Sequence, residues 1–80
     1  MSVKDTVANR IRSLCKERQI RPNELANLSA VTASTVYSLL DDRRRDVSII
    51  TIKKLCDGLE ITLGEFFSTP EFDSLEQEIC

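Results

Sequence analysis

The chain has 80 residues, of which 41% are hydrophobic, and it contains only two glycines and two prolines. This composition fits one compact helical domain and excludes a disordered or fibrous chain. Its apolar runs are too short to cross a bilayer, and the polar N-terminus is unlike a signal peptide. We therefore expect a cytoplasmic protein without a membrane partner.

Charge is distributed unevenly along the chain. Residues 70–80 contain four acidic and no basic residues, whereas residues 1–69 contain 11 basic and 9 acidic residues. The formal net charge of −2 therefore hides a weakly basic body. Histidine is absent and the cysteines, Cys15, Cys56 and Cys80, lie far apart, so we expect no metal site. Because catalytic motifs and glycine-rich phosphate loops are also absent, the sequence predicts neither an enzyme nor a cofactor.

The first predicted helix begins at Ser2, which has the spacing of a capping box with Asp5. Its apolar stripe consists of Val7, Ile11, Leu14 and Cys15. The basic residues of this helix lie off the stripe, and we expect them to form a solvated face: Lys4, Arg10, Arg12, Lys16 and Arg18.

A pair of short helices separated by a tight turn is predicted between Pro22 and Leu40. Leu25, Ala26 and Leu28 form the apolar side of the first helix, and Val36, Leu39 and Leu40 form that of the second. Thr32 is a good N-cap, so the second helix should start near Ala33. Its outward positions, Ala33, Ser34, Tyr37 and Ser38, carry no charge, and a basic cluster, Arg43–Arg45, follows the helix.

Two more helices and a tail complete the prediction. Ser48 caps a helix whose core side comprises Ile49, Ile52, Leu55, Cys56 and Leu59, with Ile50 off that side. Thr62 and Glu65 form a capping box for a short helix with Leu63, Phe66 and Phe67, which Pro70 ends. In the acidic tail, Phe72, Leu75 and Ile79 fall on one helical face, which indicates that the tail docks on something.

Four blocks of the sequence, 5–14, 24–37, 48–56 and 61–67, resemble lambda repressor-like helix-turn-helix domains of the Cro/xenobiotic-response-element (XRE) type. This resemblance implies an all-α, five-helix lambda repressor-like domain over residues 1–69, followed by a short amphipathic acidic tail, 70–80. It also implies a DNA-binding transcriptional regulator, with a repressor as our expectation, whose partner is a double-stranded operator.

The resemblance and the pattern together assign candidate DNA-binding residues. Helix 33–40 would enter the major groove, where Ala33 could contact a thymine methyl, and the arginines would hold phosphates. The candidates are Thr32, Ala33, Ser34, Thr35, Tyr37, Ser38, Arg43, Arg44 and Arg45. For the basic residues of the first helix, the alternative to a solvated face is that Arg10 or Lys16 contacts a phosphate.

Two questions stay open at the level of sequence. The acidic composition, Pro22 at the start of the second helix and the plain face of the third favour an alternative, a protein-interaction or antitoxin-like accessory module with weak DNA binding. A homodimer through the C-terminal region is the expected assembly, unless the tail folds back on its own chain. The residues expected in that interface are Ile50, Phe66, Phe67, Phe72, Leu75 and Ile79.

Overall fold

A computed structural model of the chain describes residues 2–41, 43 and 46–77. Within these ranges the protein forms six α-helices and no β-strand. They are α1 (Val3–Arg18), α2 (Pro22–Leu28), α3 (Ala33–Leu40), α4 (Ile49–Leu59), α5 (Leu63–Phe67) and α6 (Pro70–Asp73). The all-α prediction is confirmed, and the predicted five helices become six because the tail contributes α6.

One hydrophobic core joins the first five helices. The predicted stripes of α1 and α4 largely form it, together with residues from α2, α3 and α5. Its fully buried large side chains are Val7, Ile11, Leu25, Val36, Leu55, Cys56, Leu59 and Phe66. Burial raises the pKa values of Cys15 and Cys56, so both thiols stay protonated and behave as small apolar side chains.

Two predicted core residues lie at the surface instead. The side chain of Leu28 is 58% exposed and that of Ile49 is 56% exposed. Leu28 is the last residue of α2 and Ile49 the first of α4, so each lies where its helix leaves the core. Ile50, expected off the core side, is indeed 66% exposed. The apolar periodicity therefore located α2 and α4 correctly, but it wrongly predicted that their terminal residues would be buried.

Three connections between helices share one backbone design. A residue with left-handed φ ends each preceding helix: Gln19 (57°), Ala30 (56°) and Glu60 (59°). A β-branched residue follows, packs against the core and donates its amide to a carbonyl five residues earlier. These bonds are Ile20 to Cys15 (3.0 Å), Val31 to Ala26 (3.1 Å) and Ile61 to Cys56 (2.9 Å). The pattern is the Schellman motif, which satisfies carbonyls at the helix end.

The same connections also fix the start of the next helix. Thr62 and Glu65 form a complete capping box, as Ser2 and Asp5 do at α1, and both predictions are confirmed. Arg21 lacks an acceptor and makes no side-chain cap bond, but its amide donates to the Glu24 carboxylate at 3.2 Å. Each tight connection therefore determines where one helix stops and how the next begins.

The tail packs on its own chain. Phe72, in α6, contacts the rings of Phe66 and Phe67, with centroids 6.1 and 4.8 Å apart. Pro70 begins α6 instead of ending α5, which stops at Phe67. Because α6 ends at Asp73, Leu75 lies beyond the helix and shares no helical face with Phe72. Ile79 lies outside the described residues.

Arg10 connects α1 to the C-terminal end of α5. Its Nε donates to the Phe66 carbonyl at 2.8 Å and its Nη2 to the Glu65 carbonyl at 3.0 Å. The guanidinium carbon also lies 5.9 Å from the centroid of the Phe66 ring. A cation at a helix C-terminus is electrostatically favourable. Arg10 therefore fixes α1 to the end of α5, so the expectation of a solvated side chain is wrong, whereas a phosphate contact stays a prediction.

Candidate nucleic-acid interface

The turn between α2 and α3 presents one face of α3 to solvent. The Thr32 hydroxyl accepts the Thr35 amide at 3.2 Å and lies 2.9 Å from the Thr35 hydroxyl, which confirms Thr32 as the N-cap. Val36 and Leu39 are buried and fix the rotation of the helix about its axis. The opposite side of α3 is consequently free for a ligand.

This free side carries no charged group. Ala33 and Ser34 are exposed, Tyr37 is 51% exposed, and Ser38 is half-buried. Thr32 is exposed and Thr35 is half-buried. The structure thus brings the candidate residues of α3 together on one surface of small and hydroxyl-bearing side chains, with one aromatic ring among them.

A groove of about 290 Å³ runs between α3 and the start of α4. Hydroxyl groups from both helices line it, including those of Ser34, Ser38, Ser48 and Thr51. The Ser48 hydroxyl accepts the Ile50 amide at 3.1 Å, so the predicted cap of α4 is confirmed. Asp46 also lines the groove and makes it less favourable for anions.

Asp41, the residue that follows α3, binds Arg43, which is the one arginine of the cluster among the described residues. Arg43 donates from its amide and its Nε to Oδ1 of Asp41, at 2.9 and 3.2 Å, and from its Nη2 to Oδ2 at 3.0 Å. The hydrogen bonds to Asp41 and its charge raise the pKa of Arg43. Arg44 and Arg45 lie outside the described residues. Arg43 is therefore next to α3 as predicted, but it is paired with an acid of its own chain.

Two bases of α1 hold the C-terminal end of α3. Lys4 is 3% exposed and its Nζ donates to the Asp41 carbonyl, while Nη2 of Arg12 donates to the Leu40 carbonyl at 2.9 Å. The free carbonyls at a helix C-terminus attract cations, and a buried ammonium requires such a partner. The predicted solvated face is therefore wrong for Lys4, which is buried, whereas Arg12 is exposed as predicted; both bases fix the position of α3.

Gly58 of α4 sets the distance between α4 and the helix pair. A Cβ at this position would lie 2.2 Å from the Ser29 hydroxyl oxygen and 3.0 Å from the Leu28 carbonyl carbon. Ser29 is 6% exposed and its hydroxyl has no hydrogen-bond partner among the described residues. Sequence reasoning missed this contact, although an isolated glycine inside a helix is a recognised sign of close packing.

Residues 2–41, 43 and 46–77 contain no cluster of His, Cys, Asp and Glu side chains that could hold a metal ion. No helix in those ranges is long and apolar enough to cross a membrane.

Two helices joined by a tight turn, the second with an exposed face, are the arrangement of a helix-turn-helix DNA-binding domain. The family model of the Cro/C1-type HTH DNA-binding domain matches residues 10–71, and the chain belongs to this family. It is a DNA-binding transcriptional regulator, as the sequence resemblance implied.

Two known proteins are similar to the chain over most of its length. Control protein C.MunI from Mycoplasma sp is 32% identical over 69 residues, which cover 86% of this chain and 93% of that protein. The crystal structure of the prophage Lp1 protein 11 superposes with a TM-score of 0.82 at 26% identity, covering 94% of this chain and 100% of that one. Both similarities extend beyond the helix pair to the helices that support it.

Proposed function

We propose that the protein is an operator-binding repressor that places α3 in the major groove. The observation that carries this proposal is the uncharged face of α3, which is exposed, rigidly capped and anchored by Lys4 and Arg12 at its other end. A helix held in this way can enter a groove without rearrangement, which keeps the entropic cost of binding low. Occupancy of an operator then excludes other proteins from the same base pairs.

In this proposal the candidate residues contact either bases or phosphates. Tyr37 and Ser34 contact base edges, and the Ala33 methyl group packs on a thymine methyl. Ser38 and the Thr32–Thr35 hydroxyl pair lie beside them and donate to phosphates or base edges. Arg43, Arg44 and Arg45 contact phosphates, which adds affinity for every sequence alike.

The arginine cluster provides the test of this arrangement. Duplexes selected from a random library with the wild-type protein supply the operator, and fluorescence polarisation at several salt concentrations gives the affinity. Changing Arg43, Arg44 and Arg45 together to Ala should weaken binding to selected and random duplexes alike. The slope of log K against log salt should fall by about 0.9 for each lost phosphate contact.

A matched control removes positive charge elsewhere. Lys53→Ala with Lys54→Ala changes two exposed bases of α4 that are not among the proposed DNA contacts. This double variant should leave the salt slope nearly unchanged. If it lowers the slope as much per charge as the arginine variant does, net charge and not the loop governs binding, and the proposed phosphate role is wrong.

A protein-interaction or antitoxin-like accessory module is the second candidate function. The pairing of Arg43 with Asp41 and the sequence pI of about 5.0 favour it, because both reduce the attraction to DNA. In that case selection would enrich no duplex, and any binding would be weak and independent of sequence.

We propose that the active form is a two-fold homodimer in which α4 contributes Ile50, which is 66% exposed. Fewer of the residues predicted for the C-terminal interface are exposed in the folded chain. Phe66 is 0% exposed and Phe72 packs on Phe66 and Phe67, so neither Phe66 nor most of Phe72 is free to contact a partner. Exposed Ile49, also in the first turn of α4, extends the apolar surface around Ile50, with half-buried Phe67 and Leu75 as further candidates. Two copies on half-sites one helical turn apart would bind more tightly than one.

Sedimentation at micromolar concentration, with reductant present because of Cys80, tests the dimer. The wild-type chain of 9.1 kDa should sediment with twice that mass, and Ile50→Ser should sediment as a monomer. Leu28→Ser, which also removes an exposed apolar side chain, should remain dimeric. A wild-type monomer over the whole range would refute the proposal, as would a dimeric Ile50→Ser variant.

A further inference from the structure

Helix α1 binds two successive carbonyls at the C-terminal end of α3. Nζ of Lys4 donates to the Asp41 carbonyl, and Nη2 of Arg12 donates to the Leu40 carbonyl at 2.9 Å. Nη1 of Arg12 also donates to the side-chain oxygen of Asn9, one turn earlier in α1, at 3.1 Å, which orients the guanidinium. Two cations on one long helix therefore hold the end of a short one.

Core packing alone restrains the tilt of α3 weakly. The helix has eight residues, and its buried residues are Val36 and Leu39. These two side chains lie only about 4.5 Å apart along the helix axis, so they fix its rotation better than its tilt. Val31, just before α3, packs against the core and holds the N-terminal end. Lys4 and Arg12 supply the second point of attachment, at the opposite end, that keeps the axis from tilting.

Tyr37 lies close to this second point of attachment. It precedes Leu40 by three residues and Asp41 by four, which is one helical turn. Side chains that read bases must be held within roughly 0.5 Å and 10–20° of their working geometry, so a small tilt would move Tyr37 out of contact. A long, flexible side chain such as that of Arg43 can follow a phosphate through the same tilt. Loss of the attachment should therefore weaken base reading more than general affinity for DNA.

We propose that Lys4 and Arg12 are positioning residues for base reading, which set the discrimination between operator and random DNA through the orientation of α3. Lys4 is 3% exposed, so it acts on DNA only through the helix that it holds. The inference rests on the proposed DNA-binding function and extends it to two residues of a helix outside the helix pair.

Methionine variants of the two bases test this role. Lys4→Met keeps an unbranched apolar stem in the buried site and removes only the ammonium. It should bind the selected duplex about 5- to 50-fold more weakly and random DNA by less than about 2-fold more weakly. Arg12→Met should lose about 2- to 10-fold on the selected duplex, because water replaces an exposed hydrogen bond more easily. The ratio of the two affinities is the measure, since loss of one positive charge weakens binding to both duplexes alike.

A double-mutant cycle with Tyr37→Ala separates positioning from a general loss of structure. If Lys4 acts by placing the Tyr37 ring, then Lys4→Met should lose most of its effect on discrimination in a Tyr37→Ala background. Fully additive losses would show that the two residues act independently and would overturn the inference.

Thr62→Ala is the matched control for lost stability. It removes the cap of α5, which costs about 1 kcal/mol of stability away from α3, and it should leave the discrimination ratio unchanged. If it lowers the ratio as much as Lys4→Met does, stability and not position governs base reading, and the inference is refuted. A ratio unchanged in both methionine variants would refute it equally.

Hydrogen exchange of the free protein gives a readout that needs no DNA. Amides in the last turn of α3 should exchange at least about 5-fold faster in Lys4→Met, with those of α4 unchanged. Circular dichroism shows whether Lys4→Met is folded; if it is not, exposed Arg12 decides alone through Arg12→Met. Failure of the wild-type chain to select any duplex would instead refute the proposed function, and the exchange rates would still show whether α1 holds α3, so the two failures are told apart.

Discussion

The connections among α1 to α5 fall into two kinds. Those joining α1 to α2, α2 to α3 and α4 to α5 have the same Schellman ending and the same partly buried β-branched residue packed against the core. The connection from α3 to α4 has a polar and charged sequence, and Arg43 in it binds Asp41. In the first kind an apolar side chain packs against the core within three residues of the helix end, whereas Val47, seven residues after the end of α3, is the described residue of the second kind that does so.

The tight connections stabilise the fold, whereas the α3–α4 connection is proposed to contribute to DNA binding. The tight connections use backbone hydrogen bonds and core burial to fix the angles between helices. Among the described residues of the α3–α4 connection, Val47 packs against the core, whereas the Arg43 side chain is 90% exposed and can contact a partner. Substitutions at the first kind should change stability, and those at the second should change DNA binding.

The largest change in stability is expected at Gly58, against which the α2–α3 connection packs. Gly58→Ala should destabilise the protein by about 1–3 kcal/mol, because the new methyl group would overlap Ser29 and the Leu28 backbone. Helix propensity alone predicts the opposite, a gain of about 1 kcal/mol. Urea unfolding followed by circular dichroism measures the sign.

Gly64→Ala is the matched control for this variant. A Cβ at Gly64, also helical, would meet only the Thr62 hydroxyl oxygen at an ordinary 3.7 Å. This substitution should therefore raise stability by up to about 1 kcal/mol. Stabilisation by both alanines would show that the contact at Gly58 is not tight, and the comparison of connections would lose its energetic basis.

A smaller effect of opposite sign is expected at Ala30. Its φ of 56° is strained for a residue with a Cβ, so Ala30→Gly should raise the free energy of unfolding by about 0.5–1 kcal/mol. Ala33→Gly, in the first turn of α3, should lower it instead. A destabilised Ala30→Gly variant, measured in the same urea experiment, would mean that chain entropy outweighs the strain of the turn.

The smallest stability effect is expected in the α3–α4 connection. Arg43→Ala removes a side chain that is 90% exposed and pairs with Asp41 at the surface, so the unfolding free energy should change by less than about 0.5 kcal/mol. Thermal unfolding checks this value. A loss above 1 kcal/mol would show that this loop supports the fold, contrary to the division drawn above.

Local rules predicted much of the fold from sequence. The caps Ser2, Thr32, Ser48 and Thr62 were all predicted correctly, because each involves residues within one helical turn. The tight connections were located, but their left-handed residues were not, since Gln19, Ala30 and Glu60 are not the glycines that usually mark this conformation.

Long-range contacts could not be predicted in the same way. Arg10 binds carbonyls more than 50 residues away, and Lys4 binds one at the end of α3, so both looked like surface bases on a helical wheel. The exposed face of α3 could be predicted, because it lies on the side of the helix opposite Val36 and Leu39, which are buried. The pairing of Arg43 with Asp41 needed the backbone geometry that follows α3.

The central claim is that the exposed face of α3 reads bases. Its most direct test compares how tightly Tyr37 variants bind selected and random duplexes. Tyr37 is 51% exposed, so its replacement should leave the fold intact. Tyr37→Ala should cost about 1–3 kcal/mol of binding free energy on the selected duplex and little on random DNA. Equal losses on both duplexes, or no loss on either, would contradict base reading by α3.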